Sequence, residues 1–362
     1  MSDRISRRTF LAASAAGLAV GCARVTTNTP KEPRALGVAL LGLGNYAQSE
    51  LAPGLQRARH CALRGIVTGT PEKIPPWQRA HAIPDSNVYD YASLPNIKNN
   101  PEIQVVYVVT PTALHKKFAI MAAEAGKHVW CEKPMALDVA ECQSIIDACK
   151  LNGVSLAIGY RLHHEPNTQT ITAWGKSKPY GAITRVSAVA GDATGDERTW
   201  RHSAALGGGA LYDIGVYSIN AIRYASGEYP VRVLSAKQST TRPELFNEVD
   251  EVTEFELELP SGVRAYGKGS RAESINDLRI EAAKGSYGLA PFQSYSGVKG
   301  EASDGTKLDQ KIDHQQAKQM DDEALAILEG RAPIVPGEEG LADIRIVNAI
   351  QESVRTGQPV TI

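Results

Sequence analysis

Leu36-Gly37-Val38-Ala39-Leu40-Leu41-Gly42-Leu43-Gly44-Asn45-Tyr46-Ala47 decides the fold. Leu36 to Leu41 is an apolar run of strand length, and the glycines after it open a helical segment. A strand that passes through Gly-x-Gly-x-x-Ala into a helix can hold the pyrophosphate of a dinucleotide. Gly42 permits the tight turn. Gly44 lets phosphate oxygens approach the backbone at a helix N-terminus, and Ala47 lets helix and strand pack closely. Leu43, Asn45 and Tyr46 complete the loop.

The alternation continues downstream. Strands are predicted over Ala62–Val67, Ile103–Val109, His128–Cys131 and Val154–Ile158, with helices over Thr112–Ala125 and Asp138–Lys150. Strands alternating with helices at this spacing predict a doubly wound parallel sheet, an α/β Rossmann domain over residues 36–158. Cys142 and Cys149 fall on one helix and are expected to pack as small apolar residues.

The end of the second strand selects the cofactor. A site for NAD usually places Asp or Glu there to hold the ribose 2′-hydroxyl. This chain has Thr68-Gly69-Thr70-Pro71-Glu72-Lys73 instead. Two hydroxyls, an open backbone at Gly69 and the Lys73 ammonium suit a 2′-phosphate, so NADP is expected. Thr110 and Pro111 end the next strand, and His115 opens the following helix. His115 would serve equally as a packing residue or as a cofactor contact.

Val129-Trp130-Cys131-Glu132-Lys133-Pro134 carries the chemistry. In open α/β sheets, ligands bind outside the carboxyl ends of strands. A buried strand ending in Glu132 and Lys133 therefore points an ammonium into a cleft, and Pro134 stiffens the turn. The competing expectation is a Lys in a surface turn.

The chain has 362 residues, which suggests two domains. Its formal net charge of −1 offers no basic excess for nucleic acid. The five Cys form no CxxC and no Cys/His cluster, so neither a metal nor a redox dithiol is expected. Ser6-Arg7-Arg8-Thr9-Phe10-Leu11 reads as a twin-arginine export signal. The apolar stretch after it, Leu11 to Val20, is too short to span a membrane. Residues 1–23 are thus a signal peptide and 24–35 a polar arm, with a periplasmic destination. A membrane contact is expected only if Cys22 is lipidated.

From residue 159 the pattern changes. Ile183–Ala190, Glu251–Leu259, Val263–Ser270 and Leu278–Ala282 read as strands, two of them joined by the turn Pro260-Ser261-Gly262. Runs of strand without helices between them predict a mostly antiparallel sheet, so residues 159–362 form an α+β domain. Its helix, Asp213 to Ala225, follows Gly207-Gly208-Gly209. Asp213 and Tyr217 are four apart, hence on one helix face. With Lys133 they would form a proton-transfer set, the ammonium lowering the phenol's pKa so that Tyr217, assisted by Lys133, takes the substrate's hydroxyl proton. The same spacing would equally suit a helix-capping Asp and a Tyr packed in the core.

These residues resemble the Gfo/Idh/MocA family of glucose–fructose oxidoreductase and inositol dehydrogenase. The resemblance runs from Leu36 to Ile362. Its specific pieces are Gly42-Leu43-Gly44, Gly126-Lys127-His128 through Glu132-Lys133-Pro134, Gly159-Tyr160-Arg161 and Trp200-Arg201. Asp213-Ile214-Gly215-Val216-Tyr217 and Val335-Pro336-Gly337-Glu338-Glu339-Gly340-Leu341 complete the set. The resemblance implies that Lys133 is catalytic, that its bond to Pro134 is cis, and that the open sheet face forms a homodimer. It also implies that Trp200, Arg201 and Tyr295 lie near the nicotinamide. Most members carry His where this chain has Tyr217, and Tyr there resembles the glucose–fructose and aldose–aldose oxidoreductase branch. That branch implies oxidation of an aldose at C1 to a lactone and reduction of a second sugar. Export to a compartment with little free nicotinamide adds the expectation that NADP stays tightly bound and that the cycle is ping-pong. Arg161 and His163 would be sugar contacts. The alternative is a conventional NAD(P)-dependent aldose or polyol dehydrogenase that releases its cofactor.

Overall fold

The computed structural model describes residues 35–193, 195 and 197–362. The expected export signal, Cys22 and the arm up to Arg34 lie outside the described residues.

The first sheet is built from β1 (Leu36–Leu41), β2 (Cys61–Val67), β3 (Val88–Tyr89), β4 (Val105–Val108), β5 (His128–Cys131) and β6 (Leu156–Ile158). Its order is β3-β2-β1-β4-β5-β6, and every neighbouring pair is parallel. The reversal of order between β1 and β4 opens a crevice at their carboxyl ends. β1, β4 and most of β5 are apolar throughout because both faces are covered. Val38, Leu40, Val105, Tyr107 and Trp130 face one apolar cluster, while Ala39, Leu41, Val106, Val108 and Val129 face the other. That is the two-residue alternation of a strand.

The helix after Gly44 is locally widened. Ala47–Leu51 winds as a π turn before α1 (Ala52–Arg57). Pro53 has no N–H to give the preceding turn, which accounts for the break in the α ladder. α2 (Ile74–His81) lies on the same face of the sheet as α1, while α3 (His115–Glu124) and α4 (Val139–Leu151) cover the other. The α4 N-terminus is capped by Asp138, whose carboxylate accepts the Glu141 N–H at 2.8 Å. Cys142 and Cys149 are buried on α4, as their spacing predicts.

The second sheet contains β7 (Ile183–Gly191), β8 (Arg232–Ser239), β9 (Val252–Glu258), β10 (Arg264–Ser270), β11 (Ile275–Ala282), β12 (Gly285–Leu289), β13 (Gly300–Ala302), β14 (Lys307–Leu308) and β15 (Val360–Thr361). The order among the described residues is β14-β13-β12-β11-β7-β10-β9-β8-β15. All pairs are antiparallel except β7 with β10. One face carries α5 (Pro166–Ser177), α6 (Val216–Ser226) and α8 (Gly337–Thr356). The other sets Lys237 opposite Glu254, Glu254 opposite Lys268, and Tyr266 opposite Ser187, all at least partly exposed.

α7 (Gln315–Glu329) leaves the second sheet and returns to the first. Met320 and Ala324 complete the cluster around Leu40 and Tyr107, and the Asp321 carboxylate accepts the N–H groups of Arg59 and His60. Among the described residues no helix is long and apolar enough to cross a membrane.

Candidate active site

The crevice at the carboxyl ends of β1 and β4 faces the second sheet across a cavity of about 1220 Å³. Gly42, Leu43, Gly44, Asn45 and Tyr46 line one end of it. Gly42 sits at φ +103°, and a Cβ there would lie 2.7 Å from the Val109 carbonyl oxygen, so glycine is required. A Cβ on Gly44 would meet no atom within 4 Å, which leaves open space over the helix start. Thr110 Oγ1 is buried there without a hydrogen-bond partner. An open cradle beside an unsatisfied hydroxyl fits a dinucleotide pyrophosphate.

Lys73 lies across this loop, its ammonium donating to the Leu43 carbonyl at 2.9 Å. Thr68 and Thr70 line the cavity beside it, and Thr68 Oγ1 accepts the Thr70 N–H at 3.1 Å. Gly69, between them, is exposed, and a Cβ on it would lie 2.5 Å from the Tyr91 ring, so glycine keeps the backbone there close to that ring. His115 lines the cavity and is packed at the same time. It is 1% exposed, and its ring nitrogens face the carbonyls of Thr110 at 2.8 Å and Pro134 at 2.9 Å. Pro111 lines the cavity next to it.

Glu132 leaves β5 into a buried pocket. Its carboxylate accepts from the Tyr107 hydroxyl at 2.6 Å, and Gln319 of α7 donates to that hydroxyl at 2.9 Å. Burial pushes the Glu132 carboxyl above its ordinary pKa. Lys133 follows, joined to Pro134 by a cis peptide bond. Its side chain is 11% exposed, which removes the surface-turn alternative. Lys133 Nζ donates to the Asp213 carbonyl at 2.8 Å and lies 4.3 Å from the centre of the Tyr217 ring. Burial is the main cause that lowers the Lys133 pKa to about 7, with Arg201 and Arg271 adding to it.

Asp213 belongs to a π turn, Leu211–Gly215, that leads into α6, and Tyr217 to the first turn of α6. The Asp213 carboxylate accepts from Arg201 Nε at 2.6 Å and is paired with Arg271 Nη2. Burial raises the Tyr217 pKa, outweighing the nearby guanidiniums of Arg161 and Arg201. The expectation that Lys133 lowers this pKa is therefore corrected. The ammonium sits over the ring face rather than at the hydroxyl, and desolvation dominates. At neutral pH the amine is the readier of the two to accept a proton.

Trp200 and Arg201 line the cavity, the guanidinium 4.8 Å from the indole. Gly208 sets them in place, since a Cβ on it would lie 2.3 Å from the Arg201 carbonyl oxygen. Tyr295 lines the cavity from the opposite loop, 5.9 Å from the Tyr46 ring. Arg161 is 1% exposed and sits behind the lining, over Tyr295 at 4.6 Å and Tyr217 at 5.3 Å, paired with the Gln293 carbonyl. It braces the two phenols from behind. His163 is a second correction. It bonds Asn220 Oδ1 at 2.9 Å, packs on Tyr160 and Tyr224, and lies outside the cavity lining. The expected sugar contact is thus a packed ring that burial lowers to about 4 and keeps neutral.

Sequence reasoning missed Arg271, Asp192 and Asn276, which line the same cavity. Each sits at or just beyond a strand end of the second sheet, where a polar side chain looks like ordinary turn chemistry. Among the described residues no group of His, Cys, Asp or Glu is placed to hold a metal ion.

A dinucleotide cradle facing a buried amine and a phenol defines an NAD(P)-binding oxidoreductase. Residues 36–160 match the oxidoreductase family with an NAD-binding Rossmann fold, and residues 168–287 match the Gfo/Idh/MocA C-terminal domain. The chain is 38% identical to the aldose-aldose oxidoreductase from Caulobacter crescentus solved with glycerol, over 91% of this chain and 100% of that one, with TM-score 0.87. It is 26% identical over 341 residues to the D-xylose 1-dehydrogenase [NADP(+)] of Haloarcula marismortui, covering 90% of this chain and 92% of that one. A 3-ketoreductase from Actinomadura kijaniata with NADP and TDP-benzene shares the fold at 21% identity and TM-score 0.76, over 90% of this chain and 98% of that one. The protein belongs to the Gfo/Idh/MocA oxidoreductase family.

Proposed function

We propose that this protein is an NADP-dependent sugar oxidoreductase that oxidises an aldose at C1 to a lactone and then reduces a second carbonyl sugar to an alditol. The observation that carries this is the buried Lys133 amine beside Tyr217 at the mouth of the dinucleotide cradle. The 38% identity to an aldose-aldose oxidoreductase over nearly the whole chain supports the substrate class. The bound nicotinamide supplies the acceptor for hydride. Lys133 takes the proton of the C1 hydroxyl, which its lowered pKa allows near neutrality. Tyr217 stays protonated and donates a hydrogen bond to the same oxygen. Asp213, fixed by two arginines, orients the sugar ring. In the second half-reaction Lys133 returns its proton to the carbonyl oxygen of the incoming sugar, as reversibility requires.

Thr68, Thr70 and Lys73 would hold the 2′-phosphate. Lys73→Ala should weaken NADP binding by ~10-fold or more while NAD binding changes much less, since a charge-assisted hydrogen bond is lost only with the phosphate. Equilibrium titration with both cofactors checks this; equal losses would remove Lys73 from the phosphate site.

The twin-arginine signal supports a periplasmic location, where free cofactor is scarce, so the cofactor stays bound and both sugars use one pocket in turn. A second copy would dock on the open face of the second sheet, the one bearing Tyr266 and Lys268. To test the cycle, the mature protein is purified without added cofactor and dialysed. One aldose should produce a single-turnover rise of the reduced nicotinamide band, and a second sugar should discharge it. The NADP-dependent xylose dehydrogenase relative favours a second reading, a dehydrogenase that releases its product cofactor. A protein that emerges empty and accumulates free NADPH establishes that reading instead.

A further inference from the structure

We propose that Arg271, just beyond the end of β10, is a positioning residue for Lys133: together with Arg201 it holds the Asp213 carboxylate off the Lys133 amine. The proposal rests on the reading of Lys133 as the proton acceptor.

The backbone of Arg271 is fixed on both sides. Its N–H donates to the Glu251 carbonyl at 2.8 Å, and its own carbonyl accepts from Arg242 Nη2 at 2.8 Å. The side chain turns inward and is buried, the whole residue 6% exposed. Nη1 donates to the Asp192 carboxylate at 3.1 Å, Nη2 pairs with Asp213 Oδ2, and Nε is buried without a partner. A buried guanidinium with an unpaired N–H is costly, so its carboxylate partners must hold it there.

Both arginines take the same carboxylate oxygen. Arg201 Nε lies 2.6 Å from Asp213 Oδ2, the oxygen that Arg271 also engages. Oδ1 is left 4.0 Å from Lys133 Nζ, beyond hydrogen-bond reach. Lys133 instead donates to the uncharged carbonyl of the same residue. Seven groups bear on the amine: Glu132 from its own strand end, His115 from α3, Asp213 and Tyr217 from the helix, Tyr295 from the facing loop, Arg201 from its turn and Arg271 from β10. Removing Arg271 deletes one of the two cations and leaves Oδ2 held by Arg201 alone. The carboxylate can then turn onto Lys133, and both changes favour the ammonium over the free amine.

The test is the pH dependence of kcat for aldose oxidation in Arg271→Met and Arg271→Lys, with cofactor affinity and Tm measured beside it. In the Met variant the acidic limb should move up by ~1 pH unit or more, with rate recovered at high pH. The Lys variant, which restores the charge without the fork, should shift less. An unmoved limb with a raised KM would make Arg271 a substrate contact. An equal loss at every pH with a lowered Tm would make it structural. Either outcome overturns the proposal alone, provided Lys133→Met is inactive. Parental turnover in Lys133→Met would instead overturn the reading of Lys133 beneath it.

Discussion

Lys133→Met is expected to lower kcat for aldose oxidation by ~10³-fold, the middle of the range for a positioned acid or base. The amine is buried between β5 and α6, donates to one carbonyl, and sits above a phenol ring. Its pKa of about 7 makes it a proton acceptor above neutrality and an ammonium below. The parent's oxidation rate should therefore rise with pH through about 7, and the residual rate of the variant should lack that limb. Met keeps the length and the apolar packing of the stem, so cofactor affinity and Tm should hold. A pH–rate profile in which the variant keeps both the parental kcat and the limb would exclude Lys133 from proton transfer.

Tyr217→Phe is expected to cost ~10²-fold in kcat, the amount lost when one preorganised donor to a developing oxyanion is removed. The ring remains, and with it the platform under Lys133 and in front of Arg161. Only the hydroxyl goes. Because burial holds the phenol protonated, the loss should be similar on both sides of neutrality, unlike the loss expected at Lys133. Stopped-flow measurement of the reductive half-reaction isolates the step. Near-parental turnover in Tyr217→Phe would remove the hydroxyl from the mechanism.

Much of this site was legible in local sequence. Gly42-Leu43-Gly44 after an apolar run, and Glu132-Lys133-Pro134 after another, are determined by short-range geometry, and the structure places both at one crevice. The Asp213–Tyr217 spacing also carried over, despite the π turn that begins the helix. What failed depended on contacts between distant segments. The charge state of Lys133 and Tyr217 depends on burial and on Arg201 and Arg271, which no spacing reveals. His163 follows Arg161 by two residues, yet a short 3₁₀ turn, Arg161–His164, sends it to Asn220 rather than to the cavity. In the second sheet, β12 to β15 are short or Gly-rich and lack the alternation that marked β7, β9 and β10.

The return of α7 to the first sheet has a consequence for how the protein is made. β6 ends at Ile158, but the site for Met320 beside Leu40, and the Gln319 donor to Tyr107, wait for α7. At ~5–20 residues per second, a ribosome needs about 10–30 s to travel from Ile158 to Gln319. Through that interval the face covered by Leu51, Leu55 and Trp77 lacks Met320 and Ala324, and Glu132 lacks the far end of its hydrogen-bond chain. The first half of the chain is therefore finished by the last quarter, and truncation at the start of α7 should leave a first domain that aggregates.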